Sequence, residues 1–336
     1  MQLFRRLLFI SSMITTFGLS AQQKTTGKLT SLDPAFNELV APSALIQVLG
    51  EGFDWAEGPV WVKEGGFLLF SDVPKNTIYK WKEGKDISTF LNPSGYTGIL
   101  PYSKEPGSNG LTISNDGQLI LCEHGDRRIS MMPFSKGGKK TLADNYEGKR
   151  FNSPNDVIQH SSGAVYFTDP PYGLPDYVKD ESREIDMFGV YRVGTDGTVT
   201  AVIKDLQRPN GLAFSPDESI LYVAQSDPNT AYIMAYDVNI DGSLRNARVF
   251  YDATPEHKKG ELKGLPDGLK IDNKGNIFST GPGGVMVISK TGKLLGRIET
   301  GKITANCAWG GDGSVLYITA DSHLLQIQTK TKGAGW

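Results

Sequence analysis

Six oxygen-bearing side chains recur at one place in a repeated phrase of this 336-residue chain. They are Glu57, Asn109, Asn155, Asn210, Asp267 and Asn306, each standing just ahead of an apolar alternation. The phrase is plainest in "SPNDVIQHSSGAVYFTD" from Ser153, "RPNGLAFSPDESILY" from Arg208 and "LPDGLKIDNKGNIFSTG" from Leu265. Carboxylate and amide oxygens drawn from distant points of a chain to one centre suit a hard cation such as Ca2+, which takes about six to eight oxygen ligands. Two carboxylates among neutral amides cancel the charge of one divalent ion. Without it, Glu57 and Asp267 would repel, and one would be driven to protonate. Zn2+, Mn2+ and Mg2+ are the other divalent candidates, but no His/Cys spacing for a soft metal is present. The competing reading is purely structural, because Asn-Gly and Asp-Gly are among the commonest turn pairs.

The elements that must position these residues follow from the spacing. The anchors are separated by roughly fifty residues, and each is followed by a turn residue at a fixed distance. Gly65, Gly117, Gly163, Glu218 and Gly275 stand eight positions after their anchors, and Gly313 stands seven after Asn306. Around them the pattern has period two, as in "LILCE", "VYFTD" and "ILYVAQ", and no long amphipathic helical pattern interrupts it. Repeats of this length holding about four strands predict an all-β, six-bladed β-propeller with a central metal site. The first strand of each blade then lines the channel with its anchor at the mouth. The antiparallel second strand returns its end to the same face. That places Asp72, His124, Asp169 and Gln225 in a second ring. His124 is thereby a candidate base, since the ordinary pKa of histidine suits proton transfer near neutrality.

Residues 45–330 are assigned to the propeller, 22–44 to an N-terminal extension and 1–21 to a signal peptide. Arg5 and Arg6 precede "LLFISSMITTFGLSA", an apolar run ending in small residues, with cleavage expected near Ala21. The run is shorter than the roughly twenty residues of a membrane span. The expectation is an exported protein, periplasmic or secreted, with no stable membrane insertion after cleavage. Losing two arginines and no acids moves the net charge from −2 to −4. A mildly acidic chain without basic runs has no footprint for nucleic acid. Cys122 and Cys307 lie in apolar strand-like runs and read as buried free thiols rather than a disulfide.

The motifs "EGPVW", "SPNDV", "RPNGLAFSPDE" and "LPDGLKID" resemble the metal-site motifs of the gluconolactonase, senescence-marker-protein and luciferin-regenerating-enzyme family. "CEHGDRRI" and "YFTDPPYGL" are similar to its bacterial gluconolactonase branch, and the resemblance spans roughly residues 45 to 330. It implies a calcium-dependent hydrolase that opens a lactone ring, foremost a sugar lactone. Glu57, Asn155, Asn210 and Asp267 would hold the ion, and Asp267 would serve as acid/base. The mammalian branch has a substrate-touching Arg two residues before its first ligand Asn. Here that position is Ser153, and Arg150 lies further upstream. Asn109, Arg150, Asp169, Tyr172 and Asn306 are the expected substrate contacts, with Tyr172 in a long insertion that reads as a lid or pocket wall. An ion on the carbonyl oxygen would act as Lewis acid, and His124 or Asp267 would activate water. No G-x-S-x-G nucleophile motif is present. The partner is a small-molecule lactone or ester. The alternative is a non-catalytic exported propeller that binds a sugar or a partner, with a structural calcium.

Overall fold

Each repeated phrase folds as a pair of antiparallel strands, because its apolar residues alternate and its turn residue can enter the left-handed region. The structure, a computed structural model, describes residues 24–336. The expected signal peptide, residues 1–21, therefore lies outside the described residues. The turn residues Gly117, Gly163, Glu218, Gly275 and Gly313 have φ between 57° and 95°; in the first copy the left-handed residue is Gly66 rather than Gly65. Glu218 is the costly case, being neither glycine nor asparagine. Its carboxylate compensates by accepting a hydrogen bond from the Ser161 N–H at 2.9 Å.

The inner strands are Ala56–Val62, Ser108–Ile113, Val157–Gln159, Pro209–Phe214, Leu269–Ile271 and Thr304–Gly310, and each begins a sheet of at least four antiparallel strands. Every inner strand touches the next, and the last touches the first, so the ring closes. This is an all-β, six-bladed β-propeller. A two-stranded ribbon, Asn145–Tyr146 with Lys149–Arg150, and a short helix, Thr254–Lys259, sit outside the blades.

Closure draws on both ends of the described chain. Ile46–Glu51 pairs with His323–Gln328 as the fourth strand of the sixth blade, and Thr25–Thr26 adds a fifth. Lys28–Ser31 pairs with Leu294–Glu299 at the edge of the fifth blade. The stretch expected to be a separate extension is thus sewn onto two blades, covering edges that would otherwise be open to pairing. Between neighbouring blades lie apolar clusters, such as Phe151, Phe167 and Tyr191, whose ring centroids are 5.0 to 5.4 Å apart. Each such buried side chain contributes about 1.5–3 kcal/mol. Cys122 and Cys307 are buried and unpaired.

At the anchors the Asn-Gly and Asp-Gly pairs are not turns. They mark where adjacent inner strands meet. Gly110 N–H donates to Asn155 O at 2.7 Å, and Gly211 N–H to Asp267 O at 3.2 Å. A Cβ on Gly211 would stand 2.3 Å from Asp267 O, and one on Gly58 would stand 2.0 Å from Asn109 O. The strand register slips after Glu57, around Asn109 and around Asn210, and such bulges re-aim a side chain. Here they turn the anchors toward the axis.

Candidate active site at the propeller axis

Five of the six anchors, Glu57, Asn109, Asn155, Asn210 and Asp267, line one cavity of about 340 Å³ at the channel mouth. The sixth does not reach it. Asn306 Nδ2 donates to Asp156 Oδ2 at 3.3 Å, and its Oδ1 accepts from the Cys307 N–H at 2.9 Å. Asp156 occupies the place that glycine holds after most anchors, and its carboxylate is buried beside the cavity. Above the anchors runs a rim supplied by every blade: Trp55, Glu105, Tyr172, Arg208, Leu265 and Ile303, with Ser226 and His257 beside Arg208 and Leu265.

The floor is short of positive charge. Burial pushes the Glu57 carboxyl up to about 8, with Asp156 and Glu105 adding to the effect. The Asp267 carboxyl is pushed well above the usual carboxylate range, by burial first and then by Glu57. Glu57 Oε2 accepts from the Gly58 N–H at 3.0 Å, whereas Asp267 Oδ1 is closed off from solvent and has no donor. The amides are arranged to offer oxygen. Asn210 Nδ2 donates to Ser226 Oγ at 3.1 Å, and Ser226 Oγ donates to Pro266 O, which leaves Asn210 Oδ1 free. Asn155 is held through its backbone, N–H to Thr168 O at 2.8 Å, so its side-chain amide is not consumed. Among the described residues no group of three or more His, Cys, Asp or Glu side chains forms a metal cluster. The set is instead two carboxylates and neutral amide oxygens, with an orphaned buried carboxylate oxygen. That chemistry fits a hard divalent cation rather than a soft one.

Besides Asn306, three expected site residues lie elsewhere. Asp169 Oδ1 accepts from the Ser153 N–H and Oδ2 from the Asn152 N–H, both at 2.8 Å, and Asn152 Nδ2 adds a third bond at 3.1 Å. Burial pushes its carboxyl up to about 7, against the pull of these donors. Asp72 takes the Asp54 and Trp55 N–H groups, and Gln225 Oε1 takes the Gln207 N–H in the same way. In these three blades the end of the second strand is therefore a staple that pins the backbone leading into the anchor. Arg150 is exposed on the ribbon and faces a different depression with Asp126 and Arg128. His124 is buried behind Glu105, with Nδ1 3.1 Å from the Glu105 carbonyl, and burial pushes its pKa down to about 4. A carbonyl can only accept, so Nδ1 carries the proton and Nε2, which has no partner, is the bare acceptor. His124 thus holds the loop that carries Glu105 and is not on the cavity wall.

Apart from Tyr172, the rim is what reasoning from sequence missed. Trp55, Arg208 and Leu265 each stand two residues before an anchor, so period two alone places them on the anchor's side of the strand. Glu105 sits in the 101–107 loop, and burial pushes its carboxyl up to about 7. His257, on the helix, has Nδ1 3.0 Å from Gly264 O. Neither of these two had a periodic signal.

Fold and site together define the class: a six-bladed propeller with an acidic, amide-floored cavity on its axis. Within it, the chain belongs to the SMP-30/gluconolactonase/LRE-like family, whose model matches residues 55–322. It is similar to the gluconolactonase of Zymomonas mobilis, at 40% identity over 92% of this chain and 88% of that one. It is also similar to pentonolactonase XacC of Haloferax volcanii, at 29% identity over 78% and 80%. Among solved structures, the gluconolactonase of Xanthomonas campestris superposes with a TM-score of 0.78 at 30% identity, covering 93% of this chain and 99% of that one.

Proposed function

We propose that this protein is an exported, calcium-dependent hydrolase that opens the ring of a sugar lactone. The observation that carries this reading is the pair of buried carboxylates, Glu57 and Asp267, facing neutral amides across a cavity of about 340 Å³. The names of the relatives, gluconolactonase and pentonolactonase, supply the reaction class. Glu57, Asn155, Asn210 and Asp267 would hold the cation. When bound, the ion would supply Lewis-acid polarisation of the ester carbonyl.

The chain's own groups account for the rest. Asn109 faces the same cavity and can donate to ring hydroxyls, and Tyr172 lines it with its hydroxyl closed off from solvent and without a partner. Burial holds the Tyr172 hydroxyl protonated far above neutrality, so it remains a donor. Proton transfer from water belongs to the carboxylates on the cavity, Asp267 and Glu105. A carboxyl held near 7 can accept a proton at physiological pH and return it to the departing ring oxygen. Trp55, Leu265 and Ile303 cover the other side and limit water. No helix among the described residues is long and apolar enough to cross a membrane.

The test is hydrolysis of D-glucono-1,5-lactone by dialysed protein with chelator and with added calcium. Turnover should vanish with chelator and return with Ca2+. Turnover indifferent to chelator would remove the metal from the reading. Calcium binding without turnover of any lactone would favour a non-catalytic binding propeller.

A further inference from the structure

Arg208 stands out on the rim because no side chain or backbone oxygen among the described residues satisfies it. Arg127, Arg128, Arg183, Arg248 and Arg297 each donate to a backbone or carboxylate oxygen; Arg150, Arg192 and Arg245 share with Arg208 the lack of a side-chain partner, but of these four only Arg208 lines the axial cavity. The half-buried Arg208 has no side-chain hydrogen bond or ion pair among the described residues, although it lines the axial cavity. Its charge works against the burial that raises the Tyr172 and Tyr177 hydroxyls. Its backbone is firmly held. Arg208 O accepts from the Ser226 N–H at 2.9 Å, and Pro209 follows at the start of the inner strand.

The rim is also divided. Blades five, six and one contribute Leu265, Ile303 and Trp55, whereas blades two, three and four contribute Glu105, Tyr172 and Arg208. One wall is apolar and the other donates and accepts hydrogen bonds. A molecule that fills such a cavity needs one apolar side and one edge dense in hydroxyls.

We propose that Arg208 is a specificity-determining residue that reads adjacent hydroxyls of a polyhydroxylated lactone. This rests on the lactone-hydrolase reading above. The planar guanidinium presents paired N–H donors at fixed spacing, which match two neighbouring oxygens. A ring without hydroxyls would strip water from that charge and return nothing, so the residue selects for one substrate and against the other.

The experiment compares kcat and KM on D-glucono-1,5-lactone and on δ-valerolactone, the same ring without hydroxyls, for wild type, R208L and R208K with calcium present. Wild type should prefer the hydroxylated ring. R208L should raise KM for that ring by about 10- to 100-fold, the range for losing charged hydrogen bonds, with kcat little changed. On δ-valerolactone R208L should match or exceed wild type. R208K should fall between the two on the hydroxylated ring, because an ammonium donates but has no fork. Equal losses on both rings, or no change on either, would overturn the assignment. Equal losses accompanied by a lower Tm would overturn it too, as a structural role. Turnover of neither ring by wild type would instead remove the lactone-hydrolase reading, and this inference with it.

Discussion

Glu57 and Asp267 show how one side chain's environment becomes a measurable property of the site. Below about pH 8 the cation-free Glu57 carries a proton, because burial and neighbouring acids disfavour its charge. A divalent ion must displace that proton, so calcium affinity should rise as pH increases toward about 8. Calorimetry in two buffers of different ionisation enthalpy should show protons released at pH 7. An affinity flat from pH 6 to 9 would contradict the buried-carboxylate account. His124 makes the complementary case. It is already neutral at pH 7 and sits behind Glu105, so it cannot set an acid limb near its ordinary pKa. H124Q, which keeps a donor for the Glu105 carbonyl, should retain the acid limb of kcat and the calcium affinity. Loss of that limb in H124Q would return the base role to His124.

At the scale of the strand, the recurring device is the staple. A polar side chain at the end of a second strand accepts the N–H groups that precede its blade's anchor, as with Asp72, Asp169 and Gln225. Asp169 is the strongest of these, holding two backbone donors and one amide. D169A leaves those buried donors without partners, which costs about 1–3 kcal/mol each before relaxation. Chemical denaturation should therefore show a loss of about 2–4 kcal/mol, and calcium affinity should fall because Asn155 is only two residues from the pinned Ser153. A variant of unchanged stability would show that the staple is dispensable. The sequence pattern correctly placed Asp169 at a strand end on the ligand face. It could not show that the carboxylate turns back onto its own blade, since that depends on the path of residues 152–153.

At the scale of the molecule, the ring is closed by strands from both ends of the described chain, so the order of its sixth blade depends on residues 25–26 and 46–51. The Arg-Arg and apolar segment ahead of them predicts export. Expressed in a bacterium, the mature chain should begin close to Gln22, just short of the first edge strand, and appear outside the cytoplasm. Intact-mass measurement of a soluble cytoplasmic form that keeps Met1 would contradict it.

What the sequence alone determined was everything that follows from local periodicity and repetition. Alternation at period two defined the strands, and the anchor-to-turn interval defined six equivalent units. Equivalence in a closed ring brings the anchors to one axis, so Glu57, Asn109, Asn155, Asn210 and Asp267 were legible as a group. Tertiary structure decided where that equivalence breaks. Asn306 is diverted to Asp156 because the third blade has a carboxylate where its neighbours have glycine. Glu105 and His257 reach the cavity through a loop tied to His124 and a helix tied through Glu256 to Arg297 of the fifth blade. Periodicity carries no information about such paths. They are fixed by hydrogen bonds and packing between residues far apart in the chain, which exist only once the ring has closed.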